Sequence, residues 1–281
     1  MGKVKKLIKL LILAIVTTLN AKLIHYNITP KNYNQKQIKI LDSKEFKTNL
    51  SEFSALAYDG DILYIISDKG YMYHFKISLK NNKISNLKLL KTIKLKGDSE
   101  GAVIYKNNIL ISFEKKPKIV LYSKSGKKIK NIKLPKILQN IKNYKSKNKA
   151  LESVAYSKKY GVVTAPEKPF KDKCLHTIYT TKKKNYTLKS CHSITAMEFS
   201  SKNKLLVLLR DYSFFSRKST IIELNLKTKK QKTLLKMDSN KGWKIDNFEG
   251  LTKVGKNTYL IVSDDNNSPF QKTIFVLFQK E

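Results

Sequence analysis

Histidine, arginine and cysteine are all rare in this chain of 281 residues, and each scarcity closes off some chemistry. There are four histidines, none within the repeated motifs described below, which argues against a zinc or copper site built on imidazole. Arginine occurs only at Arg210 and Arg217, so the formal charge of +36 is almost wholly lysine. Those lysines are spread through nearly every turn and strand, whereas a nucleic-acid reader gathers its cations on one face. The charge therefore reads as a solvated surface with no specific nucleic-acid site. What remains is a weak, salt-screened attraction to anionic envelope surfaces such as lipid headgroups and acidic glycans. No glycine-rich phosphate loop occurs. No serine sits in Gly-x-Ser-x-Gly, and no histidine is placed to serve one, so an esterase triad has no support.

Long apolar runs are also missing. The apolar stretch Leu10–Leu19 is too short to span a bilayer. Lys3, Lys5, Lys6 and Lys9 flank it, and it ends at Asn20-Ala21, which together describe a secretory signal over residues 1–21. Loss of that segment leaves residues 22–281, with a formal charge of +32, as one exported domain, periplasmic or secreted. An uncleaved membrane anchor is the alternative. No cysteine follows the run to carry a lipid. In an oxidising compartment the two cysteines, Cys174 and Cys191, are expected to form one disulfide, because they flank a hairpin centred near Lys182–Lys183. A metal or thiol role, with only His176 and His192 nearby, is the weaker option.

What the sequence does contain is a repeated hairpin. Asp246–Asn266 opens on Glu249, turns at Gly255–Asn257, and ends in Ser263, Asp264 and Asp265. Similar units open at Glu100, Glu152 and Glu198 and close on Glu114, Glu167 and Arg210-Asp211; a first unit runs from Ser54 to Asp68, with Phe53 in the place of glutamate. Taking Ser54, Gly101, Ser153, Phe199 and Gly250 as equivalent gives spacings of 47, 52, 46 and 51 residues. Short strands at such a period define an all-β fold, a β-propeller with one blade per repeat. Five blades is the economical count, and six follows if Leu23–Ile28 starts a degenerate one. The last repeat has one outer strand, Thr273–Phe278, so the N-terminal strand Gln37–Leu41 is expected to close the ring. Leu134–Asn148 reads as a short helix or loop between blades. Nothing marks a second domain or an oligomer, and a monomer is expected.

The first strand of each propeller blade lines the central channel, and its start lies beside the end of its antiparallel partner. Glu100, Glu152, Glu198 and Glu249 are thus expected at one mouth, with Asp68, Glu114, Glu167, Asp211 and Asp264 beside them. Carboxylates with asparagine carbonyls suit Ca²⁺, which takes oxygen ligands. The expected metal set is Asp246, Glu249, Asp264, Asp265, Glu100 and Asp68. Glu249, Glu152, Glu167 and Arg210 are the candidate catalytic residues, and Arg210, Asn247 and Asn266 the substrate-binding ones. Trp243, Tyr212, Phe214 and Phe215 either line the mouth or pack the blades.

Several of these stretches carry a resemblance. Ser54-Ala-Leu-Ala-Tyr58, Asp98-Ser-Glu-Gly101, Asn148-Lys-Ala-Leu-Glu-Ser-Val-Ala155, Ala165-Pro-Glu167, Leu205-Leu-Val-Leu-Leu-Arg210 and Asp246-Asn-Phe-Glu-Gly-Leu-Thr252 resemble the family called "esterase-like activity of phytase". Leu260-Ile-Val-Ser-Asp-Asp-Asn266, followed by Gln271 and Thr273, is its most specific part. The resemblance spans about Phe53–Phe278. It implies an exported propeller related to calcium-dependent phytases. The chain departs from the family pattern at Leu209-Arg210, where Glu-Arg is expected, and Glu198 or Asp211 is then the candidate replacement. Two readings follow. One is a Ca²⁺-dependent phosphoesterase or esterase acting on a small phosphorylated or ester substrate. The other is a non-catalytic propeller that binds an envelope ligand or protein partner, with the acids serving structure.

Overall fold

The computed structural model describes residues 21–281 apart from Gln35, Lys96, Asp172, Lys173, Lys183, Phe214 and Phe215. The expected signal segment, residues 1–20 of it, and the aromatic pair Phe214-Phe215 thus lie outside the described residues. Two N-terminal strands, β1 (Lys22–His25) and β2 (Ile38–Lys47), come first. Blade 1 is β3 (Phe53–Tyr58), β4 (Ile62–Ser67), β5 (Tyr71–Lys80) and β6 (Lys83–Lys94). Blade 2 is β7 (Ser99–Tyr105), β8 (Asn108–Phe113), β9 (Lys118–Ser123) and β10 (Lys128–Ile132). A short helix, α1 (Lys136–Gln139), crosses to blade 3, which is β11 (Ser153–Ser157), β12 (Gly161–Ala165), β13 (Leu175–Thr180) and β14 (Tyr186–Lys189). Blade 4 is β15 (Ser193–Ser201), β16 (Lys204–Ser213), β17 (Ser216–Asn225) and β18 (Gln231–Asp238). Blade 5 begins with β19 (Asn247–Lys253), β20 (Thr258–Asp264) and β21 (Ile274–Lys280).

Blade 5 is completed by the other end of the chain. Its strand order is β1-β2-β21-β20-β19, with Ile38 opposite Lys280 and Glu45 opposite Ile274. The blade count is therefore five. The segment at Leu23–Ile28 starts no sixth blade, since β1 is the outer edge of the fifth. The inner strands β3, β7, β11, β15 and β19 touch in a closed cycle around one axis.

Why these strands form a ring is visible in the second strand of each blade. Leu205, Val207 and Leu209 of β16 face blade 3, while Leu206 and Leu208 face blade 5. A strand buried on both faces has no polar side to alternate with, so it reads as an unbroken apolar run. Five buried clusters result, one between each pair of neighbouring blades. Trp243 belongs to one of them, its ring edge-on to Tyr33 at 4.8 Å, so it packs blades and does not line the mouth.

Cys174 and Cys191 are joined in a disulfide across the open end of the β13–β14 hairpin, as expected. A cross-link of this kind belongs to an oxidising, extracytoplasmic compartment.

Candidate active site at the channel mouth

The site is made by a break in the inner strands. Register slips by one residue between Phe53 and Ala55 in β3, Ser99 and Gly101 in β7, Ile194 and Ala196 in β15, and Phe248 and Gly250 in β19. The residues left over are Ser54, Glu100, Thr195 and Glu249. In blade 3 the corresponding place, just before β11, is Glu152. A bulge turns its extra residue out of the ladder and re-aims the side chain. Ser54 donates to the carbonyl of Ser99 at 2.8 Å and Thr195 to that of Phe248 at 3.2 Å, each stitching one blade to the next. The other three positions carry glutamates, and these point into the channel.

This register corrects the repeat alignment read from the sequence. Glu198 lies three residues beyond the bulge, towards the end of β15 and the opposite end of the channel. There its carboxylate accepts from the backbone N–H of Phe199 at 2.8 Å and of Lys253 at 3.4 Å. It is a structural acid remote from the mouth. Asp211 stays outside the channel proper but lines the pocket at its mouth, half-exposed and near Lys218 and His192, each at 3.8 Å. The residue of blade 4 equivalent to Asp68, Glu114, Glu167 and Asp264 is Arg210, which pairs with Ser193 across the ladder as Asp264 pairs with Asn247. One guanidinium thus replaces the fifth acid of the ring.

Two glycines make the close approach of these strands achievable. A Cβ on Gly101 would lie 2.5 Å from Ser112 Oγ and 2.6 Å from the carbonyl of Glu152. One on Gly250 would lie 2.7 Å from Val262 and 2.9 Å from Leu56. The Glu-Gly pairs of blades 2 and 5 therefore have a packing reason as well as a chemical one.

The channel acids converge. Carboxylate oxygens of Glu100, Glu152 and Glu249 lie within 4.8 Å of one another, as do those of Glu114, Glu152 and Glu167, and those of Asp98, Glu100 and Glu114. Asp68 and Asp264 lie beside this group, for both feel the charge of Glu249. Burial pushes Glu100, Glu114, Glu152, Glu249, Asp68 and Asp264 up. Glu114 rises to about 7. Asp68 rises to about 8, through burial and its neighbour Glu52, and Asp264 to about 9, through burial and Glu249. Burial raises Glu100 and Glu152 well above the usual range; Glu152 presses on the first and Glu167 on the second. Glu249 is raised by burial and held back by Arg210.

Arg210 reaches three of them, Glu249, Glu167 and Glu152, and Lys149 lies 3.3 Å from Glu167 as well. One terminal nitrogen of Arg210 donates to Glu249 and to Asn247 Oδ1 at 2.8 Å; the other donates to Glu167 at 3.3 Å and lies 3.9 Å from Glu152. Asn247 in turn donates its amide to Glu249 at 2.7 Å. Acids at the rim and beyond it have cations of their own. Glu52 pairs with Lys69 at 3.1 Å, Asp98 with Lys115 at 3.1 Å, Asp246 with Arg217 at 3.6 Å and Glu45 with Lys272 at 2.8 Å. By contrast, Glu100 has no hydrogen bond or ion pair among the described residues, and Asp68 Oδ1 is buried without a partner.

Of the expected metal set, the fold brings together Glu100, Glu249, Asp68 and Asp264. It places Asp246 and Asp265 to one side, where they hold loops. Asp246 accepts from the backbone N–H of Lys272 at 2.9 Å. Asp265 accepts from the N–H of Glu52 at 3.0 Å and from the hydroxyl of Thr273 at 2.9 Å. Asn266 sits at the rim, bonded to Gln271 at 2.9 Å. Two rim cations were not singled out from the sequence, Lys149 and Lys168. With Glu167, Arg210, Asn247, Asn266, Tyr212 and Gln271 they line an open pocket of about 590 Å³ above the acids. Below the acids, Leu56, Val154, Met197 and Leu251 close the channel to a space of about 10 Å³, so the site opens at the mouth alone. Nothing in the chain's numerous lysines marks these two in advance; only the topology does.

These features define a five-bladed β-propeller with an acidic pore and a single buried arginine. The chain belongs to the phytase-like family described as "esterase-like activity of phytase", whose model matches residues 48–267. No curated protein matches it. Among solved structures it is similar to a PQQ-bound aldose sugar dehydrogenase from Streptomyces coelicolor, at 11% identity and a TM-score of 0.48 over 88% of this chain and 99% of that one. It is also similar to a protein of unknown function from Bacteroides caccae, at 11% identity and 0.45 over 78% of each chain. A streptogramin B lyase structure aligns at 8% identity and 0.43 over 86% of this chain and 97% of that one. At these levels no chemistry passes from them to this chain.

Proposed function

We propose that the protein is an exported, divalent-cation-dependent hydrolase of phosphoric esters, with its site at the acidic mouth. The family gives the coarse class, an esterase-like hydrolase. The observation that carries the finer reading is Glu100, a buried carboxylate with no hydrogen bond or ion pair among the described residues, its oxygens clustered with those of Glu152 and Glu249. A buried charge left unpaired is costly, and it either binds a proton or awaits a cation.

The donor set fits Ca²⁺. It is all oxygen and lacks the imidazole or thiolate that softer ions prefer. Glu100, Glu152, Glu249, Asp68 and Asp264 would hold the ion, with Glu114 and Glu167 adjoining. When bound, such an ion polarises a phosphoryl oxygen and lowers the pKa of a coordinated water.

The remaining chemistry falls to the side chains. Arg210 lines the mouth pocket, where guanidinium N–H groups not taken by the carboxylates can orient a phosphoryl oxygen. Glu249 and Asn247 hold that guanidinium in place. Lys149 and Lys168 add positive charge at the rim for an anionic substrate. Glu152 and Glu167, both buried beside the mouth pocket, are placed to take a proton from an attacking water. The site also has a reading without turnover. Arg210 is already engaged by carboxylates, as expected of a strut, and in that case the cation only stiffens the loops.

Purified protein assayed on an aryl phosphate and on an aryl carboxylate ester, with Ca²⁺ and with a chelator, separates these. Phosphate release that needs the cation and is lost in Glu249→Gln supports the hydrolase. Calcium-dependent melting with neither ester cleaved supports the strut.

A further inference from the structure

A second cavity lies at the other rim. Glu100 stands at the start of β7 and Tyr105 at its end, so the groove beside Tyr105 faces away from the acidic mouth. It runs between blades 2 and 3, encloses about 1140 Å³, and is walled on one side by β10 and the residues leading to α1. Its floor is apolar: Tyr105 and Tyr156 meet edge to face at 4.5 Å, with Ile132, Leu134 and Val162 beside them. Five lysines edge it, Lys130, Lys133, Lys136, Lys158 and Lys182, and no carboxylate lines it. All five are exposed, and none pairs with an acid among the described residues.

We infer that this groove binds an acidic oligosaccharide. Five ammonium groups around one concave surface repel each other, and an anion placed among them relieves that repulsion. Charge alone would suit any anion; the floor narrows the choice. A tyrosine pair offers an apolar surface on which the C–H face of a sugar ring can rest. Asn131, Asn185 and Thr181 supply amide and hydroxyl groups that pair with sugar hydroxyls in either direction. Lysine, a flexible point charge, suits carboxylates spaced along a chain. The overall positive charge of the protein thereby acquires a definite address, independent of whether the mouth is catalytic.

The test is binding of an oligogalacturonate to the full protein, measured by calorimetry at moderate salt. A neutral cello-oligosaccharide and a short polyglutamate serve as comparison probes. Exposed lysines can be changed without disturbing the core, so Lys133→Glu, Lys158→Glu and Lys182→Glu are combined. A control carries the same charge change far away, at Lys88→Glu, Lys91→Glu and Lys94→Glu on β6. The expected result is saturable uronate binding, weakened about tenfold or more in the groove variant. The β6 control should stay close to the parent, and Tyr156→Ser should lose about three- to tenfold on the sugar. Equal weakening in both triple variants would show diffuse charge and overturn the proposal. So would polyglutamate binding as tightly as the uronate, since that ligand offers no sugar face, or the absence of saturable uronate binding. Each of these is read without any ester assay.

Discussion

The guanidinium of Arg210, at the end of the second strand of blade 4, donates to the carboxylate of Glu249 at the bulge of blade 5, and the same side chain reaches Glu167 of blade 3. One residue thus ties three blades at the pore. Burial works against its charge, but Glu249, Glu152 and Glu167 outweigh that and keep it protonated. Removing it leaves several buried carboxylates with no counter-charge.

Arg210→Met is therefore expected to destabilise the cation-free protein by about 3–5 kcal/mol, the usual cost of breaking one side of a buried pair. Arg210→Lys should recover only part of this, because a point charge cannot fork between two acceptors. Chemical denaturation in chelator measures both.

The raised carboxyls give a pH signature with a definite sign. Glu114, Asp68 and Asp264 keep their protons to about 7, 8 and 9 in the folded chain and lose them near 4 when unfolded. Between those limits the folded state binds more protons, so stability falls as pH rises. In chelator, Tm is expected to drop between pH 5 and pH 9, by roughly 2–4 °C for each kcal/mol lost. On the proposed cation site, saturating Ca²⁺ competes with protons for the same acids and should flatten that decline. A Tm that rises over the same interval in chelator contradicts the account.

Substitutions of two acids should act in opposite directions. Glu100→Gln removes a buried carboxyl that is costly to ionise, so it is expected to raise the cation-free Tm at alkaline pH while abolishing the calcium-induced increase. Asp265→Asn weakens the bonds to Glu52 and Thr273 and should lower Tm by the equivalent of about 1–3 kcal/mol, leaving the calcium increase in place. Thermal scans of both variants with and without Ca²⁺ check this.

The disulfide closes a segment with a sequence separation of 17. Cys174→Ser with Cys191→Ser should cost about 3 kcal/mol through the freed unfolded chain. Denaturation of the oxidised and double-variant proteins gives the number.

How much of this was legible in the sequence depended on which residues carried their own marker. Glu-Gly at 100–101 and 249–250 marked both the acid and the tight approach of its strand, and the five-blade ring followed from such units. Blade 4 was misaligned because its bulge holds Thr195, while Glu198-Phe199 downstream imitates the expected pattern. A bulge leaves no signature in a run such as Ile194–Phe199, so the register had to come from pairing with β16. The same slip hid the equivalence of Arg210 with the ring acids. Asp246 and Asp265 looked like ligands because they flank Glu249 and Asp264 in the sequence. Which of two adjacent acids faces the channel depends on loop hydrogen bonds that span 213 residues in the case of Asp265 and Glu52.

The central claim is that the pore carboxylates form a cation site, and calcium titration by calorimetry at neutral pH tests it most directly. Saturable binding that releases protons, and that disappears in Glu100→Gln combined with Glu249→Gln, is the expected result. Absence of saturable binding in the parent protein, or binding unchanged in that double variant, contradicts it.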